Sequence, residues 1–482
     1  MKTLISILTL GLTVPAWAQS WDVVITNSMT IVATNTTYDG HSVLINAATV
    51  TIAGAHSFNN LGLTNYAKLT HGTGDVTGVN LTVSNTLLVA TNSSIDASGC
   101  GALQAGLHQR VGGSHGGRGG SFGATLSPAT YGNYLQPTSF GGGALSAPGG
   151  GYVKIVADVL RLDGMILSDG VCLVANNGGS AGGSIWLDVG TLSGAGRIRA
   201  NGGSALSYGS GGGGGRVAVY YTGAGEFDLT AGIHALGGNW NGQADGGYTA
   251  GGAGTIYLQN KGTGVDQVIV NNAGRVAAVA TELGLAEPCH SLTIYNASVR
   301  ITNDMTLTYL TTSNAVITQN GVLAADHWVL GTNIVWTQNV AMSFTDMPAG
   351  EGMVWVQNAA LTLPDNRMTV SAGLTWIPVF SQTWASVVVT NGGKITHTLG
   401  NTNGVRLTVS GLLHVAPNSS IDVSGCGNVD AGVHSRVGGS HGGRGGRFDS
   451  SNLSRACFGD FQQPITLGGG SRNGRGGGPL RS

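Results

Sequence analysis

The sequence predicts an all-β protein: a right-handed parallel β-helix, or β-solenoid, with glycine-rich loops on one side. Three observations predict it. Four alternating strand-like runs each begin on a glycine, at Gly151-YVKIVA, Gly183-SIWLDV, Gly215-RVAVYY and Gly254-TIYLQN, spaced 32, 32 and 39 residues apart. Residues 80–99 and 151–170 are each 20 residues long and hold three short β-type runs, enough to close one turn of a solenoid. No stretch beyond about ten residues carries the helical period.

Residues 1–18 read as a secretory signal peptide. Lys2 supplies the positive end, residues 4–14 are apolar, and Ala16-Trp17-Ala18 is the cleavage site before Gln19. The mature chain is therefore expected to be secreted or held at the cell surface. Residues 19–290 form the first unit of the predicted β-helix. It opens with short runs rich in Val, Ile and Thr at 23–26, 29–33, 42–45, 49–52, 61–64 and 68–71, punctuated by Asn, Gly and Asp.

A glycine-rich unit then follows at 63–151, and it returns at 389–478. The first copy reads SGCG, then GGSHGGRGG, then YGNYLQPTSFGGG; the second reads SGCG, GGSHGGRGG and FGDFQQPITLGGG. Cys100 matches Cys426, His115 matches His441 and Arg118 matches Arg444 at one offset (441 − 115 = 326).

Between the copies, glycine-led coils occupy 151–275. If successive turns stack at the strand spacing of ~4.8 Å, side chains at equivalent positions form columns. Ile95, Ile166, Ile198 and Ile233 make one inward column, and Ala97, Ser168, Ala200 and Ala235 a second. Asp96, Leu167, Arg199 and His234 then face outward. The glycine blocks at 100–150, 171–182, 202–214 and 237–253 emerge at one point of the repeat, hence on one flank. Glycine suits them because stacked backbones approach closely and need positive φ. Residues 291–388 continue the β-helix with shorter loops. Residues 389–482 are the second copy, which stops where the first enters its strand at 152–157 and is expected to be truncated.

Composition narrows the function. Glycine supplies 83 of 482 residues, about 17 % against a usual ~7 %. No strict every-third glycine is present, which excludes collagen. Charged residues are 9 %, with 22 Lys and Arg against 23 Asp and Glu, so no bulk field attracts nucleic acid or an acidic membrane. After the signal peptide no apolar run reaches the ~20 residues of a membrane span. The five cysteines fit no zinc spacing, and no metal or cofactor is expected. Cys100 and Cys426 are expected to fill one equivalent niche.

No catalytic residue is assigned. The aspartates Asp96, Asp158, Asp163, Asp169 and Asp188 form no DD or DxD pair, and Asp158 and Asp163 suit corners. GGSHGGRGG lacks the lysine and the helix of a phosphate loop. The binding candidates are His115, Arg118, His441, Arg444, Tyr208, Trp240 and Tyr248. The histidine and arginine have two readings: a proton carrier beside an anion clamp, or donors to the unpaired carbonyls of a glycine loop. The aromatics either stack on sugar rings or cover glycine-rich backbone.

The doubled motif, followed by strands of the GG-x-[VI]-x-[LIV] type, resembles very large glycine-rich exported proteins of bacteria with parallel β-helix repeats, similar to adhesins and autotransporter passengers. The match covers roughly 63–260 and 389–478. The resemblance implies a surface or matrix role. With the columns, the low charge and the lack of an acid–base cluster, the expected function is non-catalytic, a structural, adhesive or surface-interaction role, with an extracellular glycan or cell-envelope component as the expected partner. The alternative is a carbohydrate-active β-helix enzyme, a polysaccharide lyase or hydrolase, or a glycan-binding module.

Overall fold

The computed structural model describes residues 20–103, 108–242, 246–275, 280–285, 289–429 and 434–481. The export signal expected at 1–18 lies outside them. Strand makes up 40 % of the chain and helix 1 %, so the all-β class holds.

Up to residue 260 the chain passes back and forth between two sheets. The first runs, in order, through Val23–Ile25, Ser42–Asn46, Asn60–Thr64, Val79–Val89, Tyr152–Leu162, Ser184–Ser193, Arg216–Tyr221 and Thr255–Asn260. The second runs through Met29–Ile31, Thr49–Ile52, Lys68–His71, Ser94–Asp96, Met165–Leu167, Arg197–Arg199 and Ile233–His234. Neighbours in both are parallel. An antiparallel pair, Thr255–Asn260 with Asp266–Asn271, marks the end of the glycine-led coils. Beyond it the first sheet continues to Leu323–Leu330, and a third sheet runs from Thr281–Leu283 to Ser420–Ile421.

Parallel register brings like residues together. Ile95 pairs with Ile166, Ile166 with Ile198 and Ile198 with Ile233. The column extends backward through Leu69, Val50 and Met29. The four isoleucines are at most 2 % exposed and pack with Val83, Ile155, Leu187 and Val219 of the first sheet in one core. The small-residue column is present too. Ala97 N–H donates to Leu167 O (2.8 Å), Ser168 N–H to Arg199 O (2.7 Å) and Ala200 N–H to His234 O (2.9 Å). Of the residues between the columns, Asp96, Arg199 and His234 are half-buried. Lys68 Nζ holds Asp96 at 2.7 Å, and Arg199 Nε donates to Asp169 (3.0 Å). Leu167 departs from the expected outward position and is buried at 9 % exposure.

The coils differ from three separate short strands. Their first two runs are one bent strand, Val79–Val89 or Tyr152–Leu162. Burial alternates through Val79, Leu81 and Val83, skips Ser84 and Asn85, and resumes at Leu87 and Val89. Pairing across the bend shifts from Ala157 opposite Val83 to Val159 opposite Thr86, so one extra residue sits on the earlier strand. Such a bulge turns a corner while most ladder hydrogen bonds persist.

Residues 291–388 hold their own columns. Trp336, Trp355 and Trp376 are in register, and the first two rings stack at 5.4 Å with planes 3° apart. Trp355 Nε1–H donates to Gln338 Oε1 and Trp376 Nε1–H to Gln357 Oε1, both at 3.1 Å. Buried indoles are commonly paired in this way; Trp336 Nε1, at the head of the column, has no partner among the described residues. Asparagines take the corners at positive φ: Asn296 (50°), Asn314 (49°) and Asn333 (55°). Each amide bonds the previous one, Asn314 to Asn296 at 3.3 Å and Asn333 to Asn314 at 3.1 Å.

Truncating a column removes packing on both neighbours. Ile198→Ala is expected to cost about 2–5 kcal/mol and Trp355→Ala about 3–5 kcal/mol of unfolding free energy, read by guanidinium denaturation. Met165→Ala, beside the column but outward-facing, stays within about 0.5 kcal/mol.

Candidate functional site

The glycine tracts do not form separate loops; they pack on one another through their backbones. Along 210–215 successive N–H groups point to three neighbours in rotation. Ser210 and Gly213 donate to Arg110 O and Gly113 O (3.0 and 2.9 Å), Gly211 and Gly214 to Thr249 O and Gly252 O (both 3.0 Å), and Gly212 and Gly215 to Gly203 O and Ala200 O (2.9 and 2.7 Å). Tract 179–183 repeats this: Gly179 and Gly182 donate to Ser210 O and Gly213 O, Ser180 and Gly183 to Val171 O and Ser168 O. A return to the same neighbour every third residue is the signature of an extended helix of about three residues per turn, which has no internal hydrogen bonds and must find partners outside itself.

Close approach is what demands glycine here. A Cβ on Gly117 would overlap the Gly252 carbonyl oxygen, and one on Gly251 that of Gly212. Neither residue has a positive φ, so the conformational freedom expected from the sequence is not used at these positions.

His115 lies inside this bundle and is fully buried. Its Nδ1–H donates to Gly182 O at 2.9 Å, and Nε2 has no partner among the described residues. The Tyr131 ring packs on it at 5.0 Å. Arg216, itself 6 % exposed, donates through Nε to Tyr131 O (2.8 Å) and through a terminal nitrogen to Thr255 Oγ1 (3.0 Å). Burial, aided by the Arg216 charge, pushes the His115 imidazole down to about 3, so it is neutral with the proton on Nδ1. Burial likewise lowers Arg216 to about 10. Arg118 donates twice to Ser127 O (3.2 and 3.0 Å) and lies 3.7 Å from Glu282. Ser114 Oγ–H donates to Pro128 O (2.7 Å) and accepts from Gly119 N–H (2.9 Å).

The second copy keeps the local turn and loses its surroundings. Ser440 bonds Arg455 O and Gly445 N–H as Ser114 bonds its own loop. His441 is half-buried and reaches Thr466 Oγ1 through Nε2 at 2.7 Å, and Arg444 is exposed. Cys100 and Cys426 share one niche, each against a threonine hydroxyl (Thr70 at 3.7 Å, Thr396 at 3.5 Å). All five cysteines are free thiols.

The aromatic candidates divide. Tyr248 is 9 % exposed, stacks on Phe122 at 5.1 Å and accepts a hydrogen bond from Arg110 (3.0 Å). Tyr208 and Trp240 are 45 % and 39 % exposed and flank the Gly209–Asn241 bridge.

Sequence reasoning passed over two buried groups. Arg216 occupies the position held by Tyr152, Ser184 and Thr255 in neighbouring strands; the signal was a charge opening a strand in a chain poor in charge. His71 donates to Gly72 O (2.9 Å), and its Nε2 accepts the Tyr152 N–H (3.4 Å). Its counterpart His397 repeats the first bond with Thr398 O (2.8 Å), but its Nε2 is unpartnered. Pro479 stands where Tyr152 stood, and proline has no N–H to give. A further feature is a groove of about 850 Å³ between 322 and 348, lined by Asp326, Trp328, Phe344, Asp346 and Met347. Among the described residues, no three His, Cys, Asp or Glu gather as metal ligands, and no helix is long and apolar enough to cross a membrane.

Two outcomes follow from the bundle. Gly117→Ala is expected to destabilise by about 1–3 kcal/mol, because a backbone carbonyl cannot yield; Gly443→Ala, the matching change where a Cβ meets nothing, stays within about 1 kcal/mol. Both are read as shifts in denaturation midpoint. Burial also holds His71 below its ordinary value. The unfolded chain therefore binds protons that folded His71 and His115 refuse, and stability is lost as pH falls from about 6.5 toward about 3. His115→Asn is expected to flatten that slope in urea titrations at pH 7, 5.5 and 4. Set against protein-family models, curated proteins and solved structures, the chain matches none of them.

Proposed function

We propose that the chain is a β-solenoid, a parallel β-helix wound in the right-handed sense, that is exported and serves a non-catalytic structural or adhesive role at the cell surface or in an extracellular matrix. The columns support the solenoid. Equivalent residues return to the same place at each pass, from Met29 through Ile233 and again from Trp336 through Trp376. The resemblance of the doubled motif to large glycine-rich exported bacterial proteins supports the role.

One observation carries the non-catalytic reading. The groups of the first motif best suited to chemistry are committed to backbone, His115 to Gly182 O and Arg118 to Ser127 O, and so is Arg216 of a later strand, to Tyr131 O. They satisfy carbonyls that close-packed glycine tracts would otherwise bury unpaired. Side chains committed in this way brace the tracts, and a braced scaffold suits presentation. Tyr208 and Trp240 are the exposed rings through which it would meet a glycan or envelope component.

A second reading, the carbohydrate-active one, is favoured by the groove at 322–348. There two exposed carboxylates, Asp326 and Asp346, stand with Trp328 and Phe344, whose rings meet edge-on at 5.0 Å. Glycoside hydrolysis uses two carboxylates that flank the scissile bond, and aromatic rings stack on sugars.

A panel of extracellular polysaccharides incubated with the purified chain separates the two. The structural reading expects no new reducing ends and no unsaturated uronate. Turnover abolished by Asp326→Asn or Asp346→Asn overturns it. Glycan binding that survives those changes and falls in Tyr208→Ala and Trp240→Ala supports the adhesive role. A crystal structure in which the coils wind left-handed overturns the assigned hand alone.

A further inference from the structure

The groove at 322–348 lies where a ladder is interrupted inside the chain. Leu323–Leu330 is the last strand of the first sheet. The next coil does not extend it: Met342–Ser343 pairs with Leu361–Thr362 instead. The gap between these two ladders is the groove of about 850 Å³. Its apolar wall continues the indole column. Trp328 leans on Trp336 at 5.4 Å, Phe344 meets Trp355 edge-on at 5.7 Å, and Met342 is buried in the same core. Trp328 Nε1–H is committed to Ala325 O at 3.1 Å, so that ring offers the groove its π surface and no free donor.

Charge in this part of the chain is one-sided. Residues 301–366 hold Asp304, Asp326, Asp346, Glu351 and Asp365 and neither lysine nor arginine, although the whole chain balances 22 bases against 23 acids. Asp326 and Asp346 line the groove and are exposed, and neither has a hydrogen bond or ion pair among the described residues. Asp304 stands at the rim, where it accepts the N–H of Val322, a lining residue, at 2.7 Å. Among the described residues no lysine, arginine or histidine lines the groove. His327, next to Asp326 in sequence, stacks on Tyr309 at 4.8 Å instead. Carboxylates on a low-dielectric wall concentrate a negative field, and the faces of aromatic rings attract cations in their own right.

We infer that this groove binds glycans that carry free amino groups, chains of de-N-acetylated amino sugar. The inference rests on the carbohydrate-active reading above in taking the groove to hold sugar, and it requires no turnover. The volume lies within the ~300–1,000 Å³ of small-molecule sites, and the mixture of an apolar wall with a few polar groups is theirs too. Trp328 and Phe344 give a sugar ring a surface to lie against. Asp326 and Asp346 give its ammonium a counter-charge that no protein cation already supplies. Other ligands meet one demand and fail the other. A uronate chain brings rings and is repelled by the carboxylates. A neutral chain leaves both carboxylates without a counter-charge. A polyamine brings charge and no ring.

The test is calorimetric titration of the full chain at about pH 5.5, where amines carry their proton. A glucosamine hexamer is compared with its N-acetylated counterpart, a uronate hexamer and spermidine. The expected result is saturable binding of the glucosamine hexamer, about tenfold or more tighter than the other three and weakened as salt is raised. Asp326→Asn and Asp346→Asn each weaken it about threefold or more, leave the denaturation midpoint unchanged, and do not alter the response to the N-acetylated hexamer. Equal binding of the N-acetylated hexamer overturns the amine preference and leaves a sugar-binding groove standing. A uronate hexamer bound as tightly overturns the charge argument, and spermidine bound as tightly overturns the sugar. Binding indifferent to both aspartate changes overturns the assignment to this groove. Silence toward both amino-sugar hexamers removes the inference together with the glycan reading of the groove.

Discussion

Buried peptide groups must find partners, and the glycine tracts meet that demand without a β-ladder. A strand satisfies its backbone on two sides and projects side chains to the other two. A tract such as 210–215 turns its N–H groups to three neighbours in succession, at Arg110 and Gly113, at Thr249 and Gly252, and at Gly203 and Ala200. Along 211–215 no side chain projects between them, so that part of the interior is backbone against backbone. A single Cβ in that interior must displace a carbonyl rather than a rotamer. This is why a chain that is about one-sixth glycine can hold a packed body beside its hydrophobic core instead of losing that stretch to disorder.

The two bodies depend on each other through shared residues. Gly183 N–H donates to Ser168 O and Gly215 N–H to Ala200 O, the small-residue column of the β-sheets. Each tract therefore leaves the core at a fixed height and re-enters as the next strand of the first sheet. The isoleucine column sets the height of each coil, and the glycine contacts then close only if that height is kept. Residues 291–388, which lack the tracts, compensate with larger columns: indoles in register, two of them bonded to glutamines, and asparagine ladders at the corners.

Much of this was legible in the sequence, and the boundary of what was not has a physical cause. A column needs like residues at a fixed interval, and Ile95, Ile166, Ile198 and Ile233 could be found by counting. So could the shared niche of Cys100 and Cys426, and Asp158 at a corner. The Trp-x-Gln pattern at 336–338 and 355–357 was equally open to counting. The glycine bundle was not. Its partners are chosen by backbone geometry, and glycine carries no mark saying which tract lies beside which. The burial of Leu167, the bent strand that replaced two short ones, and the Arg216 that closes over His115 all depend on what the neighbouring coil presents. Alternation within one strand does not contain that information. Asp326 and Asp346 escaped notice for a similar reason, since nineteen residues of intervening chain separate two side chains that line one groove.

The duplicated unit takes the point further, because it separates what a motif specifies from what its surroundings specify. Ser114 and Ser440 make the same two bonds, and Lys68–Asp96 and Lys394–Asp422 the same ion pair, so the local turn and the rung are written in the motif. His115 and His441 are identical in sequence context yet differ in burial, in the ring nitrogen engaged and in partner. His71 and His397 differ because one N–H, that of Tyr152, has become the Pro479 ring. In both pairs the histidine's state is determined by the coil laid over it and not by the tract that bears it. A candidate residue read from such a motif is therefore half a site, and its chemistry is decided by whatever backbone is next placed on it.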